Sequence, residues 1–296
     1  MSRIYHIATR SDWARAQRDG EYATSTIGRS LADEGFIHAS QATQVADVAN
    51  RFYRGVPDEL VLLVIDPDRV RAPIRYEHVP GAEDPFPHIY GPLNPDAVLA
   101  ALPFSPAQDG SFTFPERKIV VYELLSLDGV AEAPDGFFPD WDGAMDANLA
   151  AVIATQDAVI LGRRSYTEWA QFWPSSQIQP FATFINGVTK YVATSTPLDR
   201  DWANATVLDG GLAEFVRDLK QQHGGDIGVH ASISVAQALL AAGVVDELRL
   251  VIAPRIAGRG RRLLDGLPSI QLESIRSELS PAGYLLVDYR VIRNAH

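Results

Sequence analysis

The pattern of apolar and polar positions changes character a little beyond residue 100. Before that point, short apolar runs bounded by breakers predict strands at Ile4–Ala8, Gly35–Ala39, Leu60–Ile65 and Ile74–His78. Helices are predicted at Ser11–Asp19 and Gln44–Arg54. In the first, Ser11 stands where an N-cap belongs and Gly20 follows the last turn. In the second, Val45, Val48, Ala49 and Phe52 fall at i, i+3, i+4 and i+7, one apolar face. Strands and helices mixed in this order predict an α+β unit.

Residues 103–116 read PFSPAQDGSFTFPE, with neither period. They predict a linker, which sets the bounds at 1–104, 105–116 and 117–296. After it, strands at Lys118–Leu125, Ala158–Leu161, Lys190–Ala193, Ile227–His230 and Glu247–Ala253 alternate with helices at Ala144–Thr155, Gly211–Gln222 and Ser234–Ala242. Gly243 ends the last helix, and Gln271–Glu278 with Gly283–Arg290 reads as a strand pair. The expected fold class is α/β, an open and mostly parallel sheet flanked by helices, with an antiparallel tail.

Composition narrows the chemistry. The 296 residues suit two domains, and 46% apolar with 21% charged is ordinary for a soluble chain. There is no cysteine, which excludes disulfides, thiolate metal sites and the Cys-ligated zinc nucleobase deaminases. The net charge is −11, with 10 basic against 15 acidic residues before Glu116 and 16 against 22 from there on. Neither half offers a basic face, so no nucleic-acid partner is expected. No apolar run reaches the about 18 residues of a membrane span, and MSRIYHIATRSDW lacks a signal-peptide core. The cytoplasm is the expected compartment.

Ligands of open parallel sheets bind at the C-terminal strand ends. Three such ends carry anion chemistry. Ile160-Leu161-Gly162-Arg163-Arg164-Ser165 brings a glycine, two guanidiniums and a hydroxyl to a helix start. Val192-Ala193-Thr194-Ser195 puts hydroxyls after a strand, in what reads equally as a plain turn. Gly228-Val229-His230-Ala231-Ser232-Ile233 runs from a strand through small residues into a helix start.

In order, these motifs, with Ser126-Leu127-Asp128-Gly129, Val244-Val245-Asp246-Glu247-Leu248 and Gly258-Arg259-Gly260, resemble the dihydrofolate-reductase-like family of the RibD C-terminal reductase domain, over about residues 117–293. The resemblance implies an NADPH-dependent reductase acting on a small pyrimidine-, pterin- or carbonyl-type substrate, up to and including 5-amino-6-(5-phosphoribosylamino)uracil in riboflavin biosynthesis. It implies Arg163, Thr194 and Ser195 at the adenosine phosphate. Gly162, Arg164, Ser165, Ala231, Ser232 and Ile233 are then the pyrophosphate cradle. The family usually has glycine where Ala231 stands. The resemblance also implies a homodimer. Asp128 lies near the expected reacting centre and Asp142 near the family's substrate-polarising carboxylate, though they read equally as a turn former and a helix N-cap.

His6, His38, His78 and His88 are four of the seven histidines. His6, His38 and His88 stand in strand or strand-end contexts, which points to a shared pocket; no metal site is expected, because ligand spacing is lacking. The patterns IYHI, GFIHAS, LVLLVID, RYE and FPHIYG, over about residues 3–102, resemble a small bacterial domain family of unknown function with an ADP-ribosyltransferase-like fold. By that resemblance His6 and His38 are the first two ligand-binding positions, and Glu77 or His88 the third. Two rival activities follow: NAD-using transfer by this domain, or nucleotide sensing without catalysis.

Overall fold

The computed structural model describes residues 3–79, 84–222 and 224–292. Contacts divide the chain into residues 1–115 and 116–296. Among the described residues no helix is long and apolar enough to cross a membrane.

The first unit runs β1 (Ile4–Thr9), α1 (Arg10–Asp19), β2 (Thr24–Thr26), β3 (Arg29–Ser30), α2 (Leu31–Glu34), β4 (Ile37–His38), α3 (Ala42–Phe52), β5 (Leu60–Ile65), β6 (Ile74–Glu77), β7 (Phe86–Ile89) and β8 (Val98–Pro103). Antiparallel sheets form in the orders β1-β5-β8 and β4-β7-β6, and β2 pairs with β3. The all-apolar β5 is buried on both faces. Leu60, Leu62 and Val64 pack with Val45, Ala49 and Phe112, while Val61, Leu63 and Ile65 pack with Trp13, Tyr22 and Ile37.

Four expectations are corrected here. The cap of α1 is Thr9, whose hydroxyl accepts from the Asp12 N–H at 3.0 Å, so Ser11 lies inside the helix. The expected strand from Gly35 begins at Ile37, because Gly35 is the left-handed cap of α2 with φ 83°. Strands β7 and β8 were hidden by the proline in FPHI and the alanines in VLAALP, residues of low strand propensity. The expected linker is anchored: Phe112 is buried, and Asn50 bonds both its N–H (2.9 Å) and its carbonyl (2.7 Å).

The second unit runs β9 (Ile119–Leu125), α4 (Gly143–Ala154), β10 (Gln156–Gly162), α5 (Arg163–Phe172), α6 (Phe181–Gly187), β11 (Thr189–Ala193), β12 (Ala205–Val207), α7 (Leu212–Gln221), β13 (Asp226–His230), α8 (Ile233–Ala241), β14 (Glu247–Ile252), β15 (Gln271–Leu279) and β16 (Leu285–Ile292). Its sheet has the order β12-β11-β10-β13-β9-β14-β16-β15. From β12 through β14 the strands are parallel, and β16 and β15 close the far edge antiparallel. This is the α/β architecture expected. Alternate residues of each inner strand feed two cores. Ile119, Val121 and Leu125 pack with α7 and α8, while Val120 and Tyr122 pack with α4 and α6.

The chain leaves β9, builds β10 to β12 outward, and returns to insert β13 between β9 and β10. That return makes a switch point, and α5 and α8 both start there. The turn into α8 is strained, since Ala231 has φ 47°, a left-handed conformation that glycine tolerates better. Ala231→Gly is expected to stabilise the protein by about 1 kcal/mol, read as a raised denaturant midpoint with an unchanged slope.

Candidate functional site

The C-terminal strand ends of the second unit form one polar edge. The Gly162 N–H donates to the Ser232 hydroxyl at 3.0 Å, and the Ser165 hydroxyl donates to the Ala231 carbonyl at 2.7 Å. These two bonds hold the starts of α5 and α8 together. A Cβ at Gly162 would meet Val235 at 3.4 Å, an ordinary van der Waals distance. Helix starts offer free N–H groups and positive potential, and two in contact make a site for a polyanion.

Arginines surround the edge. Arg163 reaches the loop after β11, where it bonds Thr196 and the Pro197 carbonyl (2.7 Å) and lies 3.6 Å from Asp199. Thr194 shapes that loop by accepting the Thr196 N–H at 3.1 Å, and Ser195 is exposed beside it. Arg164 is exposed and pairs with Glu168 and Glu132. Arg261 donates to the Ser234 hydroxyl in the first turn of α8 at 2.8 Å, and its backbone N–H bonds Glu132. The structure therefore brings together Gly162, Arg163, Arg164, Ser165, Thr194, Ala231, Ser232 and Ile233. It adds Arg261, which no spacing in the sequence connects to α8.

The carboxylates turn out differently. Asp128 accepts from the Ser126 hydroxyl (2.7 Å) and the Ala257 and Gly258 N–H groups (2.9 and 3.0 Å), with Arg262 alongside. The Ser126 hydroxyl, then the Ala257 N–H, hold its carboxyl down to about 2. An anion so held staples two loops and is no proton donor. Asp142 caps α4 by accepting from Ala144 and Met145 at 3.0 Å, and it also accepts from the Ala282 N–H at 2.9 Å. Partial burial pushes its carboxyl up, but the bonds from Ala282 and Met145 prevail and hold it below the usual range. Asp128 thus stands as the turn former and Asp142 as the helix N-cap that the sequence offered as alternative readings.

The carboxyl missed from sequence is Glu123 on β9. It is 4% exposed, and its Oε1 has no hydrogen-bond partner. Burial pushes it up to about 8, offset in part by a bond from the Ser232 backbone N–H. Apolar alternation hid this residue, because a strand buried on both faces gives no sign of which side a lone carboxylate takes.

In the first unit, His6 is 2% exposed. Its Nδ1 donates to the His38 carbonyl at 2.6 Å, which leaves Nε2 to accept from the Tyr22 hydroxyl at 2.8 Å. The Ser25 hydroxyl donates to the Phe36 carbonyl and accepts from His38 Nδ1 at 3.1 Å. The choice between Glu77 and His88 dissolves: Glu77 Oε2 accepts from His88 Nδ1 at 2.7 Å and from the Tyr90 hydroxyl at 2.8 Å. Those bonds, His88's first, hold the Glu77 carboxyl below its usual range. Phe36 stacks on the His88 ring at 4.2 Å, and His38 meets that ring edge-on at 5.4 Å. His38, Glu77 and His88 thus share one aromatic patch, with His6 buried behind it. His78 is exposed at the end of β6.

Residues 117–286 match the RibD C-terminal domain family, more than half of the chain. The chain belongs to the RibD C-terminal domain family. Residues 7–101 match a second family, a protein of unknown function designated DUF952. The uncharacterized protein YyaP of Bacillus subtilis (strain 168) is 26% identical over 181 residues, 59% of this chain and 95% of that protein. A solved structure of a candidate riboflavin biosynthesis protein from Shewanella sp. PV-4 is 18% identical with a TM-score of 0.50, covering 60% of this chain and 99% of that one. It shows the fold. A Caulobacter crescentus protein is 28% identical over 38% of this chain and 94% of its own, with a TM-score of 0.34.

Within this RibD-type chain, the first unit supplies a pH prediction. Burial, opposed by the bond to His38, brings His6 down from 6.5 to about 4. A histidine depressed in the folded state lends stability above its unfolded pKa and loses it as pH falls. Stability of the first unit should drop by about 3 kcal/mol between about pH 6.5 and pH 4. Urea midpoints followed by Trp13 fluorescence check this, and a flat profile contradicts it.

Proposed function

We propose that residues 117–296 form an NADPH-dependent reductase that transfers hydride to a small pyrimidine-, pterin- or carbonyl-type substrate. One observation carries the reading: two helix starts joined through Gly162 and Ser232, ringed by Arg163, Arg164 and Arg261. Such a donor set fits a pyrophosphate between α5 and α8. It fits a further phosphate near Arg163 and the loop containing Thr194 and Ser195. When bound, NADPH supplies the hydride, and the chain's own residues bind and orient it. The bonds that Asp128 and Asp142 make to backbone N–H groups argue against either as the group that protonates the acceptor. Reduction of 5-amino-6-(5-phosphoribosylamino)uracil is the named substrate to try first, within that class. The family resemblance supports a homodimer, and the sequence supports a cytoplasmic enzyme without a nucleic-acid partner.

A second reading concerns the first unit. The ionised, bonded Glu77 beside His88 and Tyr90 favours NAD use of the ADP-ribosyltransferase-like kind, because such transfer needs a carboxylate to orient the attacking group. Calorimetric titration of the full chain with NAD, repeated on Glu77→Gln, tests it; equal binding or no binding in both removes it.

For the reductase, Arg163→Ala should weaken NADPH by about 1.5–3 kcal/mol, about tenfold or more, and NADH far less. Isothermal titration with both cofactors decides. Equal weakening would remove Arg163 from the adenosine phosphate.

A further inference from the structure

Glu123 is a buried ionisable group that the reductase reading leaves without a task. It shares its face of β9 with Ile119, Val121 and Leu125, under α7 and α8. Leu250 of β14 stands opposite it in register. The Ser232 N–H, the first donor of α8, a nine-residue helix, stands close enough to its carboxyl to favour the ionised form. Its second oxygen, Oε1, is buried and unpartnered.

Among the described residues, no cation paired with it explains the burial. Helix α8 carries no ionisable side chain. On β13, Asp226 is bonded to Thr155 at the other end of the sheet, and His230 is bonded to Gln156 on the opposite face. On β14, Glu247 pairs with both Lys118 and Arg249. On α7, Lys220 pairs with Asp246, Arg217 bonds the Ala242 carbonyl, and Glu214 and Asp218 are exposed. Arg261, in the loop after β14, is directed to Ser234. Tyr122 is the ionisable neighbour on its own strand, and it faces the other core.

We propose that Glu123 controls the α8 anion site by proton exchange: a phosphate of the bound dinucleotide takes the Ser232 N–H only when Glu123 is a neutral acid. This rests on the cofactor reading above. The balance is simple. Where Glu123 is ionised, binding draws one proton from solvent onto its carboxylate, and no other bond forms or breaks. Where it is already neutral, binding draws none.

The sign follows from linkage. A bound anion beside Glu123 favours the neutral acid, so its pKa rises from about 8 in the free protein to a higher value in the complex. Affinity is therefore full below about pH 8 and falls as pH rises through and above it. The pH at which this begins is well above the titration of the cofactor's own phosphates, whose second pKa is about 6.

NADPH is titrated calorimetrically into the full-length protein at about pH 7, 8 and 9, in two buffers of different ionisation enthalpy. Proton uptake should grow from near zero at about pH 7 to most of one proton at about pH 9, while Kd rises by about five- to tenfold over the last unit. Glu123→Gln, a neutral isostere, should bind at about pH 9 as the wild type does at about pH 7, without the extra uptake. The same proton count and pH dependence in Glu123→Gln would overturn the coupling alone. No NADPH binding by the folded wild type at any of these pH values would overturn the cofactor reading and the coupling with it. Should Glu123→Gln not fold, infrared difference spectra of the wild type decide. A carboxylic-acid carbonyl band present in the free protein at about pH 7, lost toward pH 9 and restored by NADPH, is expected. A band unmoved by NADPH would overturn the proposal.

Discussion

The bond from the Gly162 N–H to the Ser232 hydroxyl is the joint on which the reductase unit is organised. It ties the end of β10 to the turn after β13, two strands that are neighbours in the sheet and far apart in the chain. Without it α5 and α8 would each present a lone helix start. With it the two helix starts are joined side by side. Beside it, Ala231 turns left-handed as the chain enters α8.

The parts of this arrangement that follow local rules were legible in the sequence. Buried parallel strands such as Ile160-Leu161 and Val192-Ala193 announce themselves as apolar runs, and β5 matched its expected bounds to the residue. Helix α3 begins two residues before the expected Gln44, where the Gln44 side chain accepts from the Gln41 N–H at 2.8 Å, a device less common than a Ser or Asp cap. The anion residues from Gly162 to Ser165 were legible because strand, glycine and helix start lie consecutively. Arg261 was not, since its closeness to Ser234 is made by the fold of the loop after β14.

Carboxylates mark the limit most clearly. Asp128 and Asp142 stand where chemistry was expected, yet backbone N–H groups already fill their lone pairs. A short acidic side chain at a turn or helix start finds such donors within a few residues, so position alone cannot separate a cap from an acid. The histidines of the first unit teach the same lesson from the other side. Glu77 and His88 looked like rivals for one role because eleven positions separate them in the chain. The antiparallel pairing of β6 with β7 makes them bonded partners.

Environment, then, sorts the ionisable groups into two kinds. Asp128 and Glu77 are surrounded by donors and are held as anions, one as a staple and one within an aromatic patch. His6 and Glu123 are surrounded by apolar side chains and are pushed toward neutrality. His6 satisfies both ring nitrogens and so is complete as it stands. Glu123 does not, for one of its oxygens is buried and left unpartnered. A buried polar atom without a partner costs about 1–3 kcal/mol, and a structural plug could have avoided that cost by being leucine, as Leu125 is two residues on. Retaining a carboxyl there makes physical sense where its proton has a use.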